Sequence, residues 1–523
     1  MTASTAFASD PYPKNKNIRV SHYEFKLELN DTTDVIQGEA TVTVEFLKPV
    51  ESFDLNLIGK NGGPTGMEVT YLGSSGNQDK YTFENNLITI RPGEVSPNTK
   101  LRYTIKYRGI PADGLIISKN KFGERTFFGD NWPDRGRHWL PTIDHPSYKS
   151  TVEFIVIAPE QYQVVATGIQ VEESNLPDKR KLTHYKEDVP VSVKVMTIGV
   201  ARFAVQLSGQ IAGVPVTTWV YPQNRDDGFL DFSTAPDVLS RFWQVIGPYP
   251  FEKLAHVQSK TKFGGLENAG NIFYFENSVN GRRERDALIA HETAHQWFGN
   301  SVTEGDWYHV WLSEGFATYF SAFYLSQMRF VKPMSEIMRE DRDRVIKYYK
   351  THPRPIIDTT ITDINKVLNT NTYQKAAWVL HMLNQAMGQD KFLAGIAEYY
   401  KTYKNSTALT NDFIEVMQRH SSTNLTPFFN RWLYKPGHPK INATWSYSSS
   451  RNELVVEAEL TQSEGLNVPI DLEFTWPNMP GSVVEEVELK PGKQTFRFNI
   501  RKPSSVGLDP NVEVLFEGGI RPK

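Results

Sequence analysis

Ala290-His291-Glu292-Thr293-Ala294-His295-Gln296-Trp297-Phe298-Gly299-Asn300 contains the pattern His-Glu-x-x-His. On a helix, residues four apart lie one turn above each other on the same face. His291 and His295 can therefore aim two imidazoles at one point, as a tetrahedral zinc requires. Glu292 lies beside that point and can act as general base toward an activated water. A catalytic zinc takes a third protein ligand. Glu314, in Trp311-Leu312-Ser313-Glu314-Gly315-Phe316-Ala317, follows His295 after eighteen residues and completes a two-histidine, one-glutamate set. The bland alternative is a surface helix with two unrelated histidines. Against it stands the apolar run Ala287-Leu288-Ile289-Ala290 leading into the motif, which predicts that the histidines face inward.

The 523 residues suffice for about three domains with separate cores. A net charge of −3 gives no electrostatic case for nucleic acid or an anionic membrane. The chain has no cysteine, which excludes disulfides, thiol catalysis and cysteine ligation of a metal. No apolar run is long enough to span a bilayer. Ala6-Phe7-Ala8 resembles a signal-cleavage site without the preceding basic and apolar regions. The expectation is a soluble protein, cytoplasmic or exported with its signal peptide removed.

Residues 1–207 read as a large antiparallel β domain. His22-Tyr23-Glu24-Phe25-Lys26-Leu27-Glu28-Leu29 and Ala40-Thr41-Val42-Thr43-Val44-Glu45-Phe46 alternate apolar and polar, with one face buried and one wet. Asn61-Gly62-Gly63-Pro64 and Gly73-Ser74-Ser75-Gly76-Asn77 read as turns. The segment Phe128 to Pro141 is dense in aromatics, charge and proline. It reads either as a loop lining a site or as a structural loop packed by its tryptophans. Residues 208–437 read as a mainly helical lobe behind a short sheet. Pro436-Gly437-His438-Pro439 ends it, and residues 438–523 read as a small β-sandwich.

Four landmarks, in order, carry a resemblance. They are His22-Tyr23 with its strands, Gly264-Gly265-Leu266-Glu267-Asn268, the His291–Asn300 stretch with Trp311–Ala317, and Tyr373-Gln374-Lys375-Ala376-Ala377. The chain resembles the aminopeptidase N family of zinc metallopeptidases, the gluzincin aminopeptidases that include the leukotriene hydrolase branch. The resemblance implies three domains: a β domain, a thermolysin-like catalytic domain and a β-sandwich. It implies one zinc per chain on His291, His295 and Glu314, with Glu292 as general base. Glu267 would hold the substrate's free α-amino group. The backbone at Gly264 and Gly265 would pair with the substrate main chain. Tyr373 would donate a hydrogen bond to the oxyanion. From spacing alone, Tyr373 falls in phase with Ala377, Leu380 and Met387 and reads equally as a core aromatic.

The chain departs from the family pattern. Leu266 stands where methionine is usual and Ser313 where asparagine is usual. Five residues before Arg137, where many members carry a second amine contact, stands Trp132, with Asp130 or Asp134 as substitutes. Many relatives carry a further helical domain after the β-sandwich, and its lack implies a more open cleft. The implied activity is release of N-terminal residues from peptides, the expected partners being peptides with a free N-terminus. A thermolysin-like endopeptidase, a catalytically dead binding scaffold and an epoxide hydrolase are the competing readings.

Overall fold

The computed structural model describes residues 9–74, 77–328, 332–477, 479 and 481–523. Ala6-Phe7-Ala8 and the Ser75-Gly76 turn lie outside them. Two compact units divide the chain: Met1–Trp307 with Tyr400–Leu409, and Tyr308–Tyr399 with Thr410–Lys523.

The first unit opens with the alternation seen in the sequence. Strands Ile18–Glu28 and Ile36–Phe46 turn Phe25, Leu27, Val42 and Val44 inward and leave the intervening polar residues outward. They belong to an eight-stranded sheet. Its order is Ile169–Leu176, Arg180–Ser192, Lys149–Pro159, Ile18–Glu28, Ile36–Phe46, Thr99–Ile110, Gly66–Ser74 and Asn77–Gln78. The β domain is antiparallel with one local departure. Ile18–Glu28 pairs with Lys149–Pro159 in parallel, while the other pairs in this sheet are antiparallel among the described residues. Parallel neighbours need a long connection. Here that connection carries the smaller strands and the aromatic segment Phe128 to Pro141.

A five-stranded sheet follows, in the order Ala204–Ile211, Val214–Val220, Leu254–Ser259, Asn271–Phe275, Gly265–Leu266. Its last member is a two-residue edge strand, paired antiparallel through Gly265 to Tyr274 and Leu266 to Phe273. The helix Asp286–His295 lies against the helix Ala235–Ile246, with the Trp297 ring edge-on to Phe242 and Tyr249 and its Nε1 donating to the Gly247 carbonyl at 3.1 Å. Gly299, at φ 122°, then turns the chain back on itself, a conformation open chiefly to glycine.

The second unit is helical up to Tyr434, then β. Helix Trp311–Gln327 is buried on nearly every side through Tyr324. Its Trp311 and Phe316 rings pack with Tyr399 and Phe413 at 5.1–5.9 Å. The β-sandwich places a four-stranded sheet over a three-stranded one, with Ile441, Leu460, Val468, Ile470 and Phe516 between them. No helix among the described residues is long and apolar enough to cross a membrane.

Candidate active site

The first unit carries most of the expected site. His295 is 1% exposed and Glu292 5%, while His291 is half-buried. His295 Nδ1 lies 3.1 Å from the Phe298 carbonyl, which can only accept. Nδ1 therefore carries the proton, and Nε2 presents a lone pair. That Nε2 lies 3.1 Å from Nε2 of His291. Two imidazole nitrogens turned toward each other need a proton or a cation between them. Nitrogens bound at about 2.0–2.1 Å to one tetrahedral zinc sit about 3.4 Å apart. The observed approach and the fixed tautomer fit that ion.

Gly265 is where strand and helix meet most closely. A Cβ built there would stand 2.2 Å from Glu292 Oε1 and 2.5 Å from its Cδ. Only glycine admits the Glu292 carboxylate at this point of the strand. At Gly264 a Cβ would meet nothing within 4 Å. The Gly264 carbonyl accepts from the Phe275 amide at 3.1 Å, which anchors the edge strand to its neighbour.

Glu267 follows that edge strand. Ligand atoms of Glu267, Glu292 and His295 all lie within 4.8 Å of one another. Glu267 is buried, and its Oε1 has no hydrogen-bond partner among the described residues. A buried carboxylate oxygen without a donor is costly. Such an oxygen marks where a cation or strong donor belongs. Its backbone, by contrast, is held firmly. Gln296 Nε2 and Asn300 Nδ2 both donate to the Glu267 carbonyl, and Gln296 Oε1 accepts from the Gly270 amide at 2.9 Å. The residues just after the second histidine thus clamp the strand that carries Glu267. Sequence reading quoted Gln296 and Asn300 without giving them a role. Their signal was two amides in an otherwise apolar, buried stretch.

The aromatic segment packs beneath the same strand. Asp130 pairs with Arg135 through Oδ1, and its Oδ2 accepts from Thr261 Oγ1 at 3.1 Å and the Lys262 amide at 2.9 Å. Burial pushes its carboxyl up from the usual range, against the pull of Arg135. Oδ1 is thus engaged by Arg135 and Oδ2 by the turn that leads into Gly264, so both oxygens already have partners. Asp134 pairs with Arg137 at 3.1 Å. Trp132 is buried edge-on to Phe263 and Trp307, at 6.1 and 5.6 Å. This segment shapes the site from below by packing.

Glu314 and Tyr373 lie in the second unit. Glu314 sits in the first turn of Trp311–Gln327 and is 3% exposed. Tyr373 lies in a single π-helical turn, Asn371–Lys375, that leads into helix Ala376–Met387. Such turns recur at functional sites. Tyr373 is half-buried, with Asn371, Thr372 and Lys375 buried around it. Gly315, next to Glu314, lies so close to Ala376 that a Cβ would stand 2.5 Å from the Ala376 methyl. That contact fixes the Glu314 helix against the start of the helix behind Tyr373.

Comparison with known proteins now bears on this geometry. Residues 237–432 match the peptidase family M1 domain, and residues 19–193 match the peptidase M1 N-terminal domain. The chain belongs to peptidase family M1. It is 26% identical to glutamyl aminopeptidase of Mus musculus over 95% of this chain and 56% of the relative. It is 26% identical to aminopeptidase M1 of Arabidopsis thaliana over 69% of this chain and 43% of the relative. The chain thus spans about half the length of the curated M1 relatives it matches. An M1 zinc metallopeptidase from Deinococcus radiodurans, solved with a Tyr-Ser-Ala substrate, shares the fold at a TM-score of 0.69 and 21% identity. The match covers 80% of this chain and 94% of that one. The β-rich N-terminal domain, helical catalytic domain and C-terminal β region are the M1 fold.

Proposed function

We propose that the protein is a zinc-dependent aminopeptidase that hydrolyses the first peptide bond of substrates with a free N-terminus. The observation that carries this reading is Glu267, a buried carboxylate with one oxygen unmet, within 4.8 Å of Glu292 and His295. A protonated α-amine entering a partly desolvated cleft needs a fixed anion. Glu267 supplies one where the substrate chain must begin, which excludes internal peptide bonds.

In this reading His291, His295 and Glu314 hold the zinc. The ion supplies Lewis acidity, lowering the pKa of water and polarising the scissile carbonyl. Glu292 takes the proton of the attacking water and passes it to the leaving amine. Tyr373 donates a hydrogen bond to the oxyanion. The edge strand at Gly264 and Gly265 pairs with the substrate main chain and sets its register. The layout into residues 1–207, 208–437 and 438–523 goes with this assignment, the middle portion carrying the chemistry.

The test is a panel of short peptides and their N-acetylated copies, with wild type and Glu267→Ala. Free-amine peptides should be cleaved and acetylated copies should not. The variant should lose kcat/KM on free-amine peptides while keeping its zinc content. Efficient cleavage of acetylated peptides, or of internal bonds in a denatured protein, would replace this reading with a thermolysin-like endopeptidase.

A further inference from the structure

The outward face of the eight-stranded sheet carries a second group of metal-ligating side chains, outside the site described above. His22 and Glu24 project from Ile18–Glu28, Glu153 from Lys149–Pro159 and His184 from Arg180–Ser192. Ligand atoms of His22, Glu24 and Glu153 lie within 4.8 Å of one another. We propose that His22, Glu24 and Glu153 form a binding site for a divalent ion of the zinc class, which ties the parallel strand pair together.

Three observations point there. The first is a spacing. His22 Nδ1 is engaged by Thr151 Oγ1 at 2.7 Å, which leaves Nε2 as the ring nitrogen turned to the cluster. That Nε2 stands 3.8 Å from Glu153 Oε1, too far for a hydrogen bond. The gap is close to that between two atoms bound at about 2.0–2.2 Å to one ion.

The second observation is register. Glu24 and Glu153 are direct partners across the parallel pair. Like charges opposite each other on one sheet face repel. A cation between them removes the repulsion. The third is orientation. His184 Nε2 lies 2.8 Å from Glu153 Oε2, which holds that oxygen and leaves Oε1 toward His22. A carboxylate oriented by an outer imidazole is a common support for a metal ligand. Of the nearby cations, Arg102 pairs with Glu24 Oε2 at 3.8 Å and Lys186 with Asp188 at 3.1 Å, and neither is paired with Glu153 among the described residues. One imidazole nitrogen and two carboxylates, with open positions for water, suit zinc and its neighbours better than calcium or magnesium.

The test is zinc content by elemental mass spectrometry after dialysis of the full chain against buffered micromolar zinc. Wild type should hold one equivalent more than His22→Ala and one more than Glu153→Gln, which keeps the side-chain shape. His291→Ala should retain this ion, so the active-site assignment and this one fail independently. Zinc should raise the Tm of His291→Ala and leave that of the His22→Ala/His291→Ala double variant unmoved. Peptidase turnover of Glu153→Gln should equal that of wild type. Equal zinc content in wild type and both single variants, or a second equivalent that appears only at millimolar zinc, would overturn the proposal.

Discussion

Gly264 and Gly265 are sequence neighbours with opposite tolerance for a side chain. At Gly265 a methyl would collide with the Glu292 carboxylate, and at Gly264 it would meet nothing. Gly265→Ala should displace Glu292, the proposed general base, and lower kcat by about 10²-fold, the cost of misplacing a catalytic group by about 1 Å. Gly264→Ala should leave kcat near wild type. Steady-state kinetics on one free-amine peptide reads both, and equal effects would show that Glu292 is not the group that makes Gly265 necessary. Glu292→Gln asks the complementary question. The amide keeps the shape and cannot take a proton, so kcat should fall by about 10²–10⁴-fold with zinc content unchanged. Turnover near the wild-type rate would move the base elsewhere.

Helices and strands set these side chains by close backbone approach, and that is where sequence reading reached its limit. The contact of Gly315 with Ala376 holds the Glu314 helix against the π-helical turn of Tyr373. Gly315→Ala should force the two apart. It should lower thermal stability by about 1–3 kcal/mol, as overpacking does, and lower kcat with it. Tyr373→Phe should lower kcat by about 10²–10³-fold with Tm unchanged, as for other oxyanion donors. Thermal melts alongside kinetics separate the two, and a Tm loss in Tyr373→Phe would mark a packing role. The strands of the first and last domains were legible because period-2 alternation is local. The His-Glu-x-x-His helix was legible because its spacing is local. The parallel pairing of Ile18–Glu28 with Lys149–Pro159 was not, since strand order depends on partners more than a hundred residues apart. Nor was the work of Asp130, whose bonds reach Thr261 and Lys262. In the sequence it stood only as a charged residue in an aromatic loop and a substitute amine contact.

Across the whole molecule several lysines are buried or half-buried, and their titration should shape its stability. Burial pushes Lys149, Lys253 and Lys375 each down to about 7. Lys149 donates to the Asn300 and Ser301 carbonyls at 2.9 and 2.6 Å, just behind the strand clamp, so its ammonium is partly compensated. Lys375 differs. Its Nζ is buried with no hydrogen-bond partner among the described residues, and the Arg431 charge opposes it further. Its folded-state pKa lies below the ordinary lysine value of about 10.4. The native state therefore binds fewer protons than the unfolded chain across the interval between the two values, and there stability rises with pH. The full penalty applies below about pH 7. It fades as pH climbs from there toward the unfolded value. Lys375→Met fills similar volume without a charge. It should raise Tm clearly at pH 6.5, with a gain that shrinks progressively by pH 10. Calorimetric melts of both proteins across that range measure it. A pH-independent difference would mean that packing, and not the buried ammonium, governs this position.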